Sequence, residues 1–453
     1  MCTTSQVPTA LAAFVAVAMP ALVAEAATSA EQPVCMNTGI KIAELSDSSV
    51  VVWTRTTDSN GHAQAAQVQV AWRESGTDQP WNTTKWVSTT SESDAIHQAR
   101  LEGLSSGTGY QLEVRSRSTA GQAGQTIESV FRTHPETTTP SDVTLVIANC
   151  QQYEDRDDRE NGFRIYQTML GLQPTFFVHT GDVVYYDKPP LLGKNVANAR
   201  EKWRRIYSMP WQVEFHNRVP AYFLKDDHDI LKDDCWPGQT YGELTFDQGV
   251  SIFREQTAAP PVPYRTIRYG RDLQLWLLDG REFRSPNTME DGPQKTILGR
   301  EQWEWLERTL ADSEATFKLV ISPTPIVGPD RENKHDNLAN KDFQHEGQRL
   351  RELLSGHKNL WVICGDRHWQ YVSVDPESKL REYSCGPASD QHAQGWKKDE
   401  FVEGMHRYLR VAGGFMSVVL SDSATTPQLA IRHHAVDGEV KHEEIWPSRT
   451  ELP

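Results

Sequence analysis

The sequence predicts an all-β region of immunoglobulin or fibronectin type followed by an α/β domain with a central sheet, and three patterns carry that expectation. Between about 36 and 135, short stretches of alternating apolar and polar residues recur between Gly, Ser, Asp and Asn turns, as half-buried strands do. From 142 to 447, apolar strand-like runs alternate with amphipathic helical ones. Ahead of both lies a single apolar run too short to span a membrane.

The chain has 453 residues, enough for two to three domains. Its 38% hydrophobic and 24% charged residues are the composition of a folded globular protein. A formal net charge of −15 repels polyphosphate backbones, so long nucleic acid is not an expected partner. Small anions remain open, because bound cations can invert the local field.

Residues 11–24 (LAAFVAVAMPALVA), followed by AEAATSA, have the length of a signal-peptide core, with a cleavage site after Ala26. Residues 1–26 are therefore expected to be a signal peptide, giving a secreted or periplasmic protein with no membrane span. The first ten residues carry no Lys or Arg, and a twin-arginine signal is absent. Cleavage would remove Cys2 and leave Cys35, Cys150, Cys235, Cys364 and Cys385, an odd number in a compartment that permits disulfides. Their spacing neither pairs them nor forms a CxxC zinc pattern.

Within the β region (36–135), SVVVWTRT, AQVQVAWRE, HQARLEGL and YQLEVRSRS read as strands, and Tyr110 stands just before one, as in fibronectin-like domains. No catalytic cluster is visible there, so its expected role is structural or substrate-orienting. HPETTTPSD (134–142) reads as a linker. Beyond it, VTLVIANC, PTFFVHTGD, VPAYFLKDDHD, DLQLWLLDG, FKLVISPTP and NLWVICGDRH read as strands, with NGFRIYQTMLG, AREKWRRIYSMPWQVEFH and EQWEWLERTLADS as helices between them. GGFMSVVL and the hairpin-like QLAIRHHAVDGEVKHEEI are expected to complete the sheet.

Four of these strands end in metal-ligand residue types: Cys150; Gly181-Asp182 with Tyr185; Asp226-Asp227-His228-Asp229; and Gly365-Asp366-Arg367-His368. Sites on open α/β sheets lie beyond the carboxyl ends of the strands, so four such ends are expected to converge on one pocket. An Asp after a strand is by itself most often a turn residue. Four in succession are not explained that way.

The order ANC, GDVVY, DDHD, GDRH resembles the calcineurin-like metallophosphoesterases, and in particular their PhoD-type alkaline phosphatase/phosphodiesterase branch. The likeness extends to LDGREFRSP, to LGREQWEWLERTLADSEATFKLVISPTP and to SVVVWTRT, and covers about 36–445. It implies an α+β sandwich catalytic domain and a metal-dependent phosphoester hydrolase, with metal-bound hydroxide attacking the phosphorus of small phosphomonoesters, phosphodiesters or both. Asp182 becomes the bridging carboxylate, with Cys150, Tyr185 and His368 completing a first metal site that the family fills with Fe3+. The spacing GDxxY selects Tyr185 over Tyr186. Asp227 and Asp366 would form a second, all-oxygen site suited to a hard cation such as Ca2+. His228 is the expected general acid or electrostatic clamp, oriented by Asp229. Arg281 and Arg367 are candidate phosphate contacts, since a guanidinium fits that geometry. Many relatives in the wider superfamily carry a metal-binding His after the strand that here reads VISPTPIV. This chain has none at that point, leaving Ser322 near the expected second site.

A monomer is the expected state. The alternatives are a lipid-type phosphodiesterase on the same scaffold and a non-enzymatic secreted binding protein. The latter predicts missing ligands, whereas each motif here keeps a donor.

Overall fold

The alternation in VTLVIA sends Leu145 and Ile147 to one face of a strand and Val146 to the other, and both faces are buried. That two-sided burial is repeated across a computed structural model that describes residues 33–421 and 426–448. The expected signal segment 1–26 lies outside the described residues.

One sheet has nine strands. In spatial order they are Val440–Pro447, Gln428–Ala435, Gly414–Ser421, Val143–Ala148, Phe176–His179, Ala221–Phe223, Ile40–Ala43, Ser49–Arg55 and Ile96–Glu102. The three strands that precede the first three motifs, Val143–Ala148, Phe176–His179 and Ala221–Phe223, are its parallel centre. A second sheet of seven contains the parallel run Leu273–Leu277, Phe317–Ser322, Leu360–Cys364 and Arg381–Cys385.

The expectation of one central sheet is thus corrected to two mixed sheets packed face to face. Leu145, Ile147, Phe176 and Val178 meet Leu275, Leu277, Leu319, Ile321 and Ile363 between them. Each outer face carries its own helices. Arg164–Gly171, Val196–Tyr207, Pro210–His216 and Phe246–Thr257 cover Val146, Phe177 and Phe223. Gly299–Ala311 and Gln344–Ser355 cover Trp276, Val320 and Val362. Sequence periodicity tells that a strand is buried on both faces, but not which of two sheets it joins. The helix Phe246–Thr257 starts at a reciprocal capping box in which Thr245 and Gln248 each bond the other's backbone.

The residues 36–135 divide between sheets. Ala66–Glu74, Gly109–Arg117 and Ala123–Arg132, with two short strands, form an antiparallel sheet of their own. Ile40–Ala43, Ser49–Arg55 and Ile96–Glu102 instead extend the nine-stranded sheet, through the parallel pairing of Ala43 with Ala221. Tyr110 accepts a hydrogen bond from the Ser105 backbone N–H at 2.8 Å, a tie that fixes the turn before its strand. All five described cysteines are unpaired, and no helix among the described residues is long and apolar enough to cross a membrane.

One buried group holds the loop that runs from the second sheet toward the motifs. The Glu382 carboxylate accepts backbone N–H bonds from Ile326 (2.6 Å), Val327 (3.0 Å) and Gly328 (2.9 Å), and the Tyr371 hydroxyl at 2.7 Å. Removing it strands several buried donors at about 1–3 kcal/mol each. Glu382→Ala is expected to lower the unfolding free energy by about 3 kcal/mol, with Glu382→Gln losing about half as much. Urea denaturation of the two variants checks this.

Candidate metal centre

Cys150, Asp182 and Asp366 each follow a strand and each adopt a left-handed backbone conformation, with φ of 46°, 59° and 61°. Such a conformation costs a residue with a Cβ about 1–3 kcal/mol and persists only where the surroundings over-determine it. Here they do. The Cys150 N–H donates to Gly181 O at 3.3 Å and the Gln151 N–H to Asp182 O at 2.9 Å, zipping the first two motifs together. Asn149 reaches the other sheet, accepting the Asp366 N–H at 3.1 Å and donating to Arg367 O at 3.4 Å. Gly181, at φ 119°, lies where a Cβ would come within 2.7 Å of the Asp226 Cβ, so the second motif tolerates no side chain there.

Asp182 is the hub. The Cys150 thiol (3.3 Å) and the Tyr185 hydroxyl (3.0 Å) both donate to its Oδ2, while its buried Oδ1 has no hydrogen-bond partner. Donor atoms within 4.8 Å of one another group Cys150 with Asp182 and His368, Asp182 with Asp227 and His228, and Asp182 with Asp226 and Asp366. The structure therefore brings all six expected metal residues around one carboxylate. Asp227 and Asp366 reach it in separate groups, and Asp226, not singled out from the sequence, stands with Asp366. Tyr186 is turned away into the core, where its hydroxyl accepts the Trp203 indole N–H at 2.8 Å.

Burial, reinforced by Asp182, pushes the Cys150 thiol and the Tyr185 phenol well above their ordinary ranges. The Asp182 carboxyl is raised as well, by burial first, with His228 opposing and Asp227, Asp226 and Asp229 adding to it. The thiol and the phenol therefore keep their protons at neutral pH, and a cation would compete with those protons. A thiolate, a phenolate and an imidazole around a carboxylate fit a transition-metal ion, and the oxygen-only groups fit a hard cation. The protons of Cys150 and Tyr185 point at the oxygen that such an ion would share, so the residues present suit the metals expected.

Three assignments change. Asp229, expected to orient His228, accepts instead from the backbone N–H groups of Asp182 (2.8 Å), Val184 (3.1 Å) and Asp226 (2.9 Å). It ties the second and third motifs together, and both its oxygens are directed to backbone and not to the imidazole. The partner of His228 is Asp187, 2.7 Å from Nδ1. Burial would depress the His228 pKa, but Asp227, Asp182 and Asp187 outweigh it and push it up to about 10. Arg281 and Arg367, expected to face phosphate, are fully buried and paired with carboxylates. Arg281 holds Asp226 and stands 3.5 Å from Asp336, while Arg367 holds Asp330 and Asp366. A guanidinium enclosed by carboxylates balances their charge, and full burial keeps both from the surface that a substrate would meet.

Ser322 donates its hydroxyl to Thr324 O at 2.6 Å, which stiffens the turn after its strand. His392 sits beside the centre, its ring 4.0 Å from that of His368 and its Nδ1 3.2 Å from Cys150 O. Burial and His392 hold the His368 imidazole well below its usual range, in the neutral form that ligates. Asp187 and Asp336 lie on loops and His392 ends the single 3-10 turn Asp390–His392, where no periodicity marks a side chain as buried.

A family profile described as PhoD-like phosphatase matches residues 145–404, from the strand before Cys150 to beyond His368. The chain belongs to the PhoD-like phosphatase family. It is 23% identical to alkaline phosphatase D of Bacillus subtilis (strain 168) over 382 residues, which is 73% of this chain and 63% of that protein. The chain thus spans less than two thirds of that relative's length. Its fold is similar to a solved structure of PhoD, with a TM-score of 0.71 at 16% identity, covering 92% of this chain and 89% of that one. It is also similar to purple acid phosphatase PPD1 from yellow lupin (Lupinus luteus) seeds, with a TM-score of 0.65 at 13% identity, over 90% and 73% of the two chains. The family read from the four motifs is borne out.

Because burial and Asp182 push the Cys150 thiol and the Tyr185 phenol above their ordinary ranges, both carry protons at neutral pH that a cation must displace. Loading a transition-metal ion onto metal-free protein near pH 7 is expected to release about two protons, so that affinity climbs with pH and falls on acidification. Tyr185→Phe should release about one fewer, as read with a pH indicator in weakly buffered solution.

Proposed function

We propose that this chain is an exported, metal-dependent phosphoester hydrolase of the alkaline phosphatase/phosphodiesterase type. We assign it small phosphomonoesters, phosphodiesters or both as substrates, a secreted or periplasmic location and a monomeric state. The signal-like run at 11–24 supports export. The donor sets support Fe3+ with Cys150, Asp182, Tyr185 and His368, and Ca2+ with the carboxylates Asp182, Asp227 and Asp366. The antiparallel sheet built on Ala66–Glu74 we read as the fibronectin-like module, fastened to the catalytic part by the neighbouring strands Ile40–Ala43, Ser49–Arg55 and Ile96–Glu102, which join the nine-stranded sheet.

The observation that carries the reading is the Asp182 carboxylate, buried and common to three donor groups, with one oxygen unpartnered. When bound, a pair of cations supplies Lewis acidity and an activated water for in-line attack on phosphorus. The residues do the rest. Asp182 holds the two donor sets at one distance, and Asp229 and Asn149 keep the motif turns from separating. His228, held through Nδ1 by Asp187, keeps Nε2 for a proton that can pass to the leaving oxygen. Arg281 and Arg367 offset the charge of the ligand carboxylates.

Hydrolysis of a chromogenic phosphomonoester and a chromogenic phosphodiester, after metal removal and re-addition of iron with calcium, tests the proposal. Turnover should require metal, and Asp182→Asn should lose about 10³-fold or more in kcat together with bound metal. Folded protein that turns over neither substrate under any metal combination would overturn the reading in favour of a binding protein.

A further inference from the structure

In a chain of net charge −15, one wall beside the centre is basic. The side chain of Tyr185, whose hydroxyl reaches Asp182, also lines a narrow cavity with Tyr153, Lys188, Lys202 and Arg205 over an apolar floor of Val184 and Ile206. The anions around it are already engaged. Glu201 pairs with Arg204 at 2.5 Å and Arg205 at 3.1 Å, Glu154 faces Arg159 at 3.6 Å, and Asp187 is taken by His228. The two lysines differ. Lys202 Nζ donates to the Lys188 carbonyl at 2.6 Å, and among the described residues no carboxylate stands within ion-pair distance of either ammonium.

An ammonium without a counter-ion, half out of water and adjoining the chemistry, is costly unless something anionic visits it. Burial draws the Lys202 pKa down to about 8 against the raising pull of Asp187 and Glu154, and a further anion beside it would oppose that drop. The cavity holds about 20 Å³ of free space, room for one or two oxygen-sized groups and not for a ring.

We infer that the cavity lined by Lys188, Lys202 and Tyr185 is a subsite for a second small anionic group carried by the substrate, selecting phosphoesters that bear a carboxylate group close to the scissile phosphoryl group. This deepens the hydrolase reading and rests on it. Arg205 and the ring of Tyr153 bound the subsite, and the apolar floor accepts the short linker between the two anions.

The test compares propyl phosphate with 3-(phosphonooxy)propanoate by phosphate release from metal-loaded protein, alongside binding of methylphosphonate and phosphonoacetate by calorimetry. The bis-anionic member of each pair should be preferred by about tenfold, in kcat/KM and in Kd. Lys202→Met should cut that preference at least about fivefold, and Lys202→Arg, which keeps the charge, should restore most of it. Equal handling of both members, or a preference that Lys188→Met and Lys202→Met both leave intact, would overturn the subsite. Hydrolysis of neither phosphate ester beside a Lys202-dependent preference for phosphonoacetate would overturn the hydrolase reading and leave the anion subsite standing.

Discussion

Like charges held together out of water set the terms for this molecule. Asp182, Asp226, Asp227, Asp229 and Asp336 are all buried in one region, and Asp366 stands beside them. Two unit charges 4 Å apart repel by about 4 kcal/mol even at an effective dielectric of 20. The fold meets that cost in three ways. Backbone N–H groups take up the Asp229 oxygens, the cations of Arg281, Arg284, Arg367 and Lys334 lie among the rest, and protons remain on Cys150 and Tyr185. The third is the adjustable one, since a metal ion can replace a proton where an arginine cannot be moved.

The convergence of strand ends follows from the same constraint. Ligands supplied by one sheet would have to come from neighbouring turns at similar spacing. Two facing sheets bring Asp182 and Asp366 in from opposite sides, and Asn149 is the bolt between them. The left-handed turns at Cys150, Asp182 and Asp366 then aim side chains back into the gap. Their strain is small beside the charge interactions that they organise.

The strands and the four motif ends were legible because apolar runs are long and the ligand types follow them directly. The pairing of strands into two sheets was not, since a strand buried on both faces reads alike in either sheet. The roles of Asp229 and Arg281 were misread for a related reason. Neighbourhood in sequence placed Asp229 beside His228, whereas the turn that follows the strand sends its carboxylate to the backbone of the previous motif. Asp187 could have been suspected as an extra acid close behind GDVVY. Asp336, inside a polar loop, left no signal, because its burial depends wholly on the arginines that come to meet it.

The β region ahead of the catalytic part is joined to it through the core. Trp53 donates its indole N–H to Glu255 O at 2.8 Å, and the Lys41 amine lies 3.1 Å from the centre of the Trp53 ring and 3.5 Å from that of Tyr207. Burial pulls the Lys41 pKa well down, with Arg55 adding to the effect, and the two ring faces are what the amine packs against. Tyr207 sits at the end of the helix Val196–Tyr207, and the same helix carries Lys202 and Arg205 to the wall of the centre. The N-terminal strands therefore brace the helix that presents the basic side chains. Arginines directed inward balance the ligand carboxylates, and Lys202, bonded to the Lys188 carbonyl, lines the cavity beside Tyr185. On the function proposed above, that division lets an acidic protein hold metal cations and still receive an anionic substrate.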